Sequence, residues 1–313
     1  MYKIVLLKSP GNLNVGNEFI NVGAEYLVKK CLEQAHVKDY ELFISEFWAT
    51  NMTLHRHQTD WNTKEMKHWI NSQDLIVVAA GSIVSPLMGA FLKDMQEFRP
   101  PVIILGAGML TYTQEEQELA KRAFSKAKLV VCRDEILFQT INGSVLAVNG
   151  LDMAFFLDDA YVLPPAGGEY AVLNIDFSIR YMMQREKKYR ELKKRFETVY
   201  LTENTSAMHQ KKDFVFLSRW SEFCNLYANA AFVCTTRIHT CVVCTVFQTP
   251  FEYIGNDCEP NAKRSALFRQ IGMPLEKNKI YDQKQLQEVQ VNIQAKKREV
   301  EKKVVEMLRE VLS

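Results

Sequence analysis

The sequence predicts an α/β protein made of two successive α/β halves, and three observations carry that expectation. Apolar runs without polar alternation recur along the first half, at Asp74–Ala80, Pro101–Leu105 and Leu129–Cys132, as strands covered on both faces do. Helical patterns separate these runs, which is the order of a parallel sheet with flanking helices. The pattern then restarts after Pro164-Pro165-Ala-Gly167-Gly168, where stiff and permissive backbone combine as in a linker.

Taken in order, Lys3–Leu7 reads as a buried first strand, followed by a loop containing Gly11, Asn12 and Asn14. A helix from about Asn17 to Gln34 presents Phe19, Ile20, Leu27, Cys31 and Leu32 on its apolar face. The next strands end in distinctive turns: Gly81-Ser82, Gly106-Ala-Gly108 and Arg133-Asp134-Glu135. A fourth, Val145–Val148, closes on Asn149-Gly150-Leu-Asp152. Beyond the linker come a strand at Tyr170–Ile175, a very basic helix at Tyr181–Thr198, and strands at Val199–Thr202 and Asp213–Leu217. A helix at Ser221–Ala230 leads into the strand Phe232–Thr235. Last is a long helix, Gln283–Leu312, with Val300, Val304, Met307, Leu308 and Val311 in one apolar stripe. Its lysines and glutamates are interleaved, which favours packing on the body of the protein over lying on a membrane. The expected division is 1–163, 169–282 and the terminal helix 283–313, with a cleft between the two halves.

Bulk properties narrow the function classes. The chain has 313 residues, enough for two ordinary domains, and its 47% hydrophobic and 24% charged residues are those of a globular protein. A net charge of +2 gives no general affinity for polyanions and argues against nucleic acid as a partner. Seven cysteines without a framework suit a reducing compartment, and most lie in apolar runs where thiols act as small hydrophobes. Met1–Lys8 reads as a strand and not a signal peptide, and no apolar stretch reaches membrane-spanning length. The expectation is a cytoplasmic protein, with peripheral contact at the inner face of the membrane left open.

The chemistry concentrates where Phe232–Thr235 meets the next apolar segment. Arg237 and His239 stand two residues apart just past a strand end, the place where open α/β sheets bind ligands. Arg237 offers a fork of donors for a phosphate or carboxylate, and His239 a group that transfers protons near neutral pH. Arg133 is a second cation just past a strand end; Arg180 and Arg219 are further candidates. Gly16, Gly81, Gly106 and Gly108 can admit a ligand close to the backbone or simply make tight turns. Gly16 precedes a helix whose free amides would attract an anion. Asp152 can orient an arginine or a hydroxyl, or cap the next helix.

Other constellations point elsewhere. His55-Arg-His57 lacks the further ligands a metal needs, Cys241-x-x-Cys244 lies inside an apolar run, and Asp158-Asp159 lacks a third ligand. The expectation is no metal. The basic stretch Arg185–Arg195 reads first as a solvated face.

The ordered set of motifs resembles the polysaccharide pyruvyltransferase family. Asn14-Val-Gly16-Asn17-Glu18 is similar to an Asn-x-Gly-Asp box, Gly81-Ser82 to a glycine triplet, and Val102–Gly108 to the next glycine turn. Cys132–Glu135, Asp152, Ser221-Glu222 and Thr235-Thr236-Arg237-Ile-His239 follow in order, then Pro250, Asn256-Asp257, Lys263 and Ile271-Gly272. The sequence departs from the pattern at Asn17 (Asp in the family), at Ala79-Ala80 (glycines) and at Thr240 (commonly Gly). The resemblance implies a GT-B-like fold of two Rossmann-like halves facing a cleft, and transfer of pyruvate from phosphoenolpyruvate, as a ketal, to a sugar of a cell-surface polysaccharide or glycolipid precursor. It implies His239 and Arg237 as catalytic residues, and no cofactor beyond the donor substrate. Arg133, Asn14, Gly16, Asn17, Gly81, Gly106, Gly108, Asp152, Arg180 and Lys263 would hold substrate. Lys263 would neutralise the departing phosphate. Two alternatives stay open: a GT-B-like glycosyltransferase using a nucleotide-sugar, and a non-catalytic relative that binds an anionic saccharide.

Overall fold

The computed structural model describes residues 1–9, 14–46, 64–85, 88–164, 167–175, 179–203, 213–215, 217–255 and 265–313, with backbone alone at 64, 90 and 179–182. The first half is a six-stranded parallel sheet in the order β2-β1-β3-β4-β5-β6. Its strands are β1 (Tyr2–Lys8), β2 (Tyr40–Glu46), β3 (Leu75–Val84), β4 (Val102–Met109), β5 (Leu129–Cys132) and β6 (Ala147–Asn149). Flanking helices are α1 (Val15–Gln34), α2 (Lys64–Ile70), α3 (Gly89–Met95), α4 (Gln114–Phe124), α5 (Glu135–Ile141) and α6 (Leu157–Ala160). A 3₁₀ turn at Met153–Phe156 leads into α6.

The second half is a five-stranded sheet in the order β11-β10-β9-β7-β8, parallel except for β11. It comprises β7 (Tyr170–Asn174), β8 (Thr198–Thr202), β9 (Phe232–Thr235), β10 (Phe251–Tyr253) and β11 (Lys279–Tyr281). Helices α7 (Ile179–Lys193), α8 (Trp220–Ala228) and α9 (Ile238–Val246) belong to it, and the long α10 (Gln283–Val311) follows. Phe214, expected within a strand, makes only an isolated bridge to Leu201.

The strand order switches direction between β1 and β3 in one sheet and between β7 and β9 in the other. Such switch points open crevices at the carboxyl ends of the strands. Here they place the start of α1 and the start of α9 at the junction of the halves. The largest core cluster runs through that junction. Phe19, Ile20 and Leu27 of α1 share it with Met153–Phe156, Tyr227, Cys241 and Val242. Gly23 makes the approach of α1 feasible, since a Cβ there would lie 1.9 Å from the Met153 carbonyl oxygen.

Helix α10 straps the halves together. Gln290 donates to the Thr245 carbonyl in the second half (2.8 Å), and Lys296 to the Asn149 carbonyl in the first (2.7 Å). Lys297, 1% exposed, reaches Asp158 at 2.5 Å and Asp159 at 2.7 Å. The acidic pair therefore serves as counterion for a buried ammonium. Asp158 nonetheless has its pKa raised, because burial outweighs the neighbouring lysine. Lys297→Ala is expected to cost about 3 kcal/mol, the low end for breaking a buried pair, since both carboxylates keep some access to water. Urea unfolding reads this directly.

Cys241 and Cys244 lie fully buried on α9, and six described cysteines are free thiols. His55 and His57 lie outside the described residues. Among the described residues no helix is long and apolar enough to cross a membrane, and no group of three His, Cys, Asp or Glu side chains is placed to hold a metal ion.

Candidate functional site

The site assembles at the switch points from side chains of both halves. Asn14 caps α1: its Oδ1 accepts the Gly16 amide at 3.0 Å, and its carbonyl accepts the Asn17 amide at 2.9 Å. That corrects the expected role of Gly16. It lies inside the first turn, and its amide is already taken by Asn14. What Gly16 provides is space, because a Cβ there would sit 2.6 Å from Nδ1 of His239 and 3.0 Å from its Cγ. The His239 side chain of the second half thus lies against the start of α1 in the first.

His239 Nε2 stands 3.5 Å from Oδ2 of Asp152, an ion-pair distance longer than a well-formed hydrogen bond. Asp152 is fully buried and does two jobs at once. Its Oδ1 accepts the Ala154 amide at 3.0 Å, capping the 3₁₀ turn. Its Oδ2 takes Nη1 of Arg133 at 3.0 Å. Burial alone would raise the Asp152 pKa, but His239 first and Arg133 next outweigh it and bring it down to about 2. The carboxylate is therefore ionised throughout the physiological range. A depressed carboxylate stabilises the fold above its unfolded pKa of about 3.9 and loses that contribution as pH falls through its folded value. Between about pH 5 and pH 1 the loss is expected to reach about 2.6 kcal/mol. Unfolding measured across that range checks it, with Asp152→Asn as the control that lacks this contribution.

Arg133 departs from its expected role in the same instructive way. Read as a cation for substrate, it is 2% exposed, with Nη1 on Asp152 and Nη2 on Oγ of Ser82. Its Nε is buried without a hydrogen-bond partner among the described residues. The guanidinium is therefore turned onto the protein's own carboxylate, where it holds Asp152. Gly108 makes room for it, since a Cβ would fall 2.3 Å from the Arg133 Nε.

The other glycines also serve the protein's own packing. Gly81 and Gly106 have φ of +60° and +70°, conformations that favour glycine, and both sit where the β3 and β4 ladders shift register. They lie inside strands, where turns were expected. A Cβ at Gly106 would meet Met153, and one at Gly81 the tip of Ile20.

Behind Arg133 lies a group that sequence reasoning missed. Tyr112, buried with φ of +58°, donates its hydroxyl to Oδ2 of Asp134 at 3.1 Å. The strained turn is held by Glu116, fully buried, whose Oε2 accepts the amides of Thr111 and Tyr112 at 2.8 and 2.7 Å. Asp134 also caps α5 through Leu137, and burial raises its pKa. The only clue in the sequence is Thr-Tyr-Thr directly after the glycine-rich strand.

In the second half, Arg237 occupies the N-cap position of α9, its amide donating to Oγ1 of Thr235 at 2.9 Å. Thr235 and Thr240 both donate to Oδ1 of buried Asn174, at 2.9 and 3.0 Å. Thr240 thus has a structural task that a glycine could not perform: it locks the first turn of α9 to β7. Arg237 is half-buried and lies near the Tyr227 hydroxyl. Arg219 is exposed at the start of α8. The structure thus brings together Asn14, Gly16, Gly108, Arg133, Asp152 and His239, with Arg237 two residues from His239 at the head of α9 and Asn17, Gly81 and Gly106 on the surrounding backbone. Arg180 has only its backbone described, and Lys263 lies outside the described residues.

Comparison with solved structures finds the same architecture elsewhere. A Listeria monocytogenes protein assigned as a UDP-N-acetylglucosamine 2-epimerase has a TM-score of 0.60 at 11% identity, covering 99% of this chain and 91% of that one. The Neisseria meningitidis UDP-GlcNAc 2-epimerase, solved with UDP-GlcNAc, has a TM-score of 0.55 at 10% identity, covering 99% of both chains. The Methanocaldococcus jannaschii enzyme has a TM-score of 0.52 at 12% identity over 94% of this chain and 99% of that one. At these identities the likeness is one of fold, and it is GT-B-like. Comparison with curated proteins gave no match. The family model described as polysaccharide pyruvyl transferase matches residues 14–257, most of the chain and nearly every residue of the site. The chain belongs to the polysaccharide pyruvyl transferase family, a family of transferases.

Proposed function

We propose that the protein transfers the pyruvyl group of phosphoenolpyruvate to two hydroxyls of a saccharide, forming a ketal and releasing phosphate. One observation carries this reading: His239 of one half lies against Gly16 and Asp152 of the other, so a proton-transfer group is assembled only where the halves meet. The chemistry needs such a group. A first sugar hydroxyl adds to C2 of the donor as C3 takes a proton and becomes the methyl; of the two protons the hydroxyls give up, one balances that taken by C3 and the other leaves with the phosphate. A second hydroxyl then displaces phosphate from C2, giving up its own proton. His239 supplies the proton to C3 and can recover one from the incoming hydroxyl. Asp152 orients the imidazole and offsets the charge of its protonated form, and Arg133 orients Asp152. Arg237, less buried and at the head of α9, is the cation for the donor's phosphate or carboxylate. The donor carries its own leaving group, so the reading includes no cofactor.

Ligand-dependent melting tests the donor. A ligand present at about 100 times its Kd adds about 2.7 kcal/mol to the folded state. Phosphoenolpyruvate is expected to stabilise the wild type, and Arg237→Ala to lose that effect. Stabilisation by a UDP-sugar in place of phosphoenolpyruvate would move the protein to the nucleotide-sugar reading, which the GT-B-like fold also accommodates.

A further inference from the structure

Between Met183 and Arg195 the chain carries seven cations (Arg185, Lys187, Lys188, Arg190, Lys193, Lys194, Arg195) and two glutamates, a net of +5. The whole chain carries +2, so everything outside this segment sums to −3. The positive charge of the molecule is thus gathered on α7 and the turn after it.

The fold sorts these cations into two sets. Arg185 is buried, and Lys188 is committed to Glu252 at 2.7 Å and Glu191 at 3.1 Å, so both face the body. Lys187, Arg190, Lys193, Lys194 and Arg195 are exposed. Met183, Lys187 and Arg190 follow at spacings of four and three residues in one line along the outer face of α7, and Lys194 stands just past its end. Of the two acidic side chains, Glu186 pairs with Arg190 and Glu191 with Lys188, leaving the line positive. Met183, at the head of this line, is 87% exposed among the described residues.

We propose that this face of α7 docks the protein on an anionic phospholipid surface, with the outward cations on the headgroups and Met183 entering the apolar boundary. Charge complementarity points to an extended anionic surface, because the outward cations Lys187, Arg190 and Lys194 span about two helical turns. The exposed methionine favours a bilayer over a soluble polyanion, which offers nothing for an apolar side chain to enter.

Co-sedimentation of the full chain with vesicles tests the proposal. Vesicles rich in phosphatidylglycerol are expected to carry the protein down, phosphatidylcholine vesicles to leave it in solution, and added salt to release it. Each outward cation contributes about fivefold to partition, so the triple variant Lys187→Gln, Arg190→Gln, Lys194→Gln is expected to bind on the order of 100-fold more weakly. All three side chains are exposed, and a melting curve verifies that the variant stays folded. Met183→Ser is expected to weaken binding without changing its salt dependence. Equal partition of the triple variant, equal binding to both kinds of vesicle, or absence of binding to phosphatidylglycerol would each overturn the proposal. So would retention by a soluble acidic polysaccharide alone, which would give the helix an anionic saccharide partner in place of a membrane.

Discussion

Asp152→Asn is expected to cost about 3–5 kcal/mol of stability and to abolish transfer activity. The two side chains are nearly the same shape, so the Ala154 amide keeps an acceptor and the 3₁₀ turn keeps its cap. What disappears is the charge. Arg133 would remain 2% exposed, with an Nε already lacking a hydrogen-bond partner among the described residues and no ionised carboxylate on its Nη1. An arginine cannot escape by losing its proton, so the full penalty of an uncompensated buried cation falls on the folded state. Denaturant unfolding of the two proteins measures it. A difference below about 1 kcal/mol would mean that Asp134, the next carboxylate in reach, balances Arg133 by itself. The same substitution leaves His239 without its anionic neighbour, so the activity loss has a separate cause from the stability loss.

The second large effect comes from a single methyl group. Gly16→Ala is expected to lower kcat by about 10²–10⁴-fold, matching His239→Ala, because both remove the same proton-transfer group from its position. The added Cβ would stand 2.6 Å from Nδ1 and 3.2 Å from Cβ of His239, too close along most of the side chain for a small adjustment. The imidazole must move, which disturbs its 3.5 Å approach to Asp152. Stability is expected to change by only about 1 kcal/mol, since alanine is the better helix former and offsets part of the strain. Steady-state kinetics with a parallel melting curve separates the two readouts. Loss of stability together with activity would assign Gly16 to packing alone.

These two residues also mark how far the sequence could be read. The sheets were legible wherever strands are buried on both faces: Leu129–Cys132 and Phe232–Thr235 are continuous apolar runs, and they are β5 and β9 residue for residue. β2 was not legible, because it is a half-exposed edge strand in which charged residues interrupt the pattern, and β10 and β11 are three residues each. β3 and β4 run on to Val84 and Met109, past the glycines read as their ends. A bulge built on a glycine with positive φ keeps the ladder going where composition suggests a turn.

At the site, Arg237 and His239 could be found by residue type and position, since a strand end followed by Arg-x-His is local information. Their neighbours could not. Gly16 and Asp152 meet His239 only through the packing of α1, the 3₁₀ turn and α9 in one core, and no local spacing encodes that. The inward turn of Arg133 depends on Ser82 and Gly108 from two other strands. Thr240 looked like a departure from a family pattern, and its hydrogen bond to Asn174 shows the compensation that a single-site reading misses.

Phosphate release from phosphoenolpyruvate, followed over a panel of saccharide acceptors with wild type, His239→Ala and Gly16→Ala side by side, tests the central claim most directly. The account predicts acceptor-dependent release by the wild type and a fall of about 10²–10⁴-fold in both variants, with the fold intact. Release at the wild-type rate from His239→Ala would contradict it, because the proton-transfer group would then lie elsewhere than at the junction of the two halves.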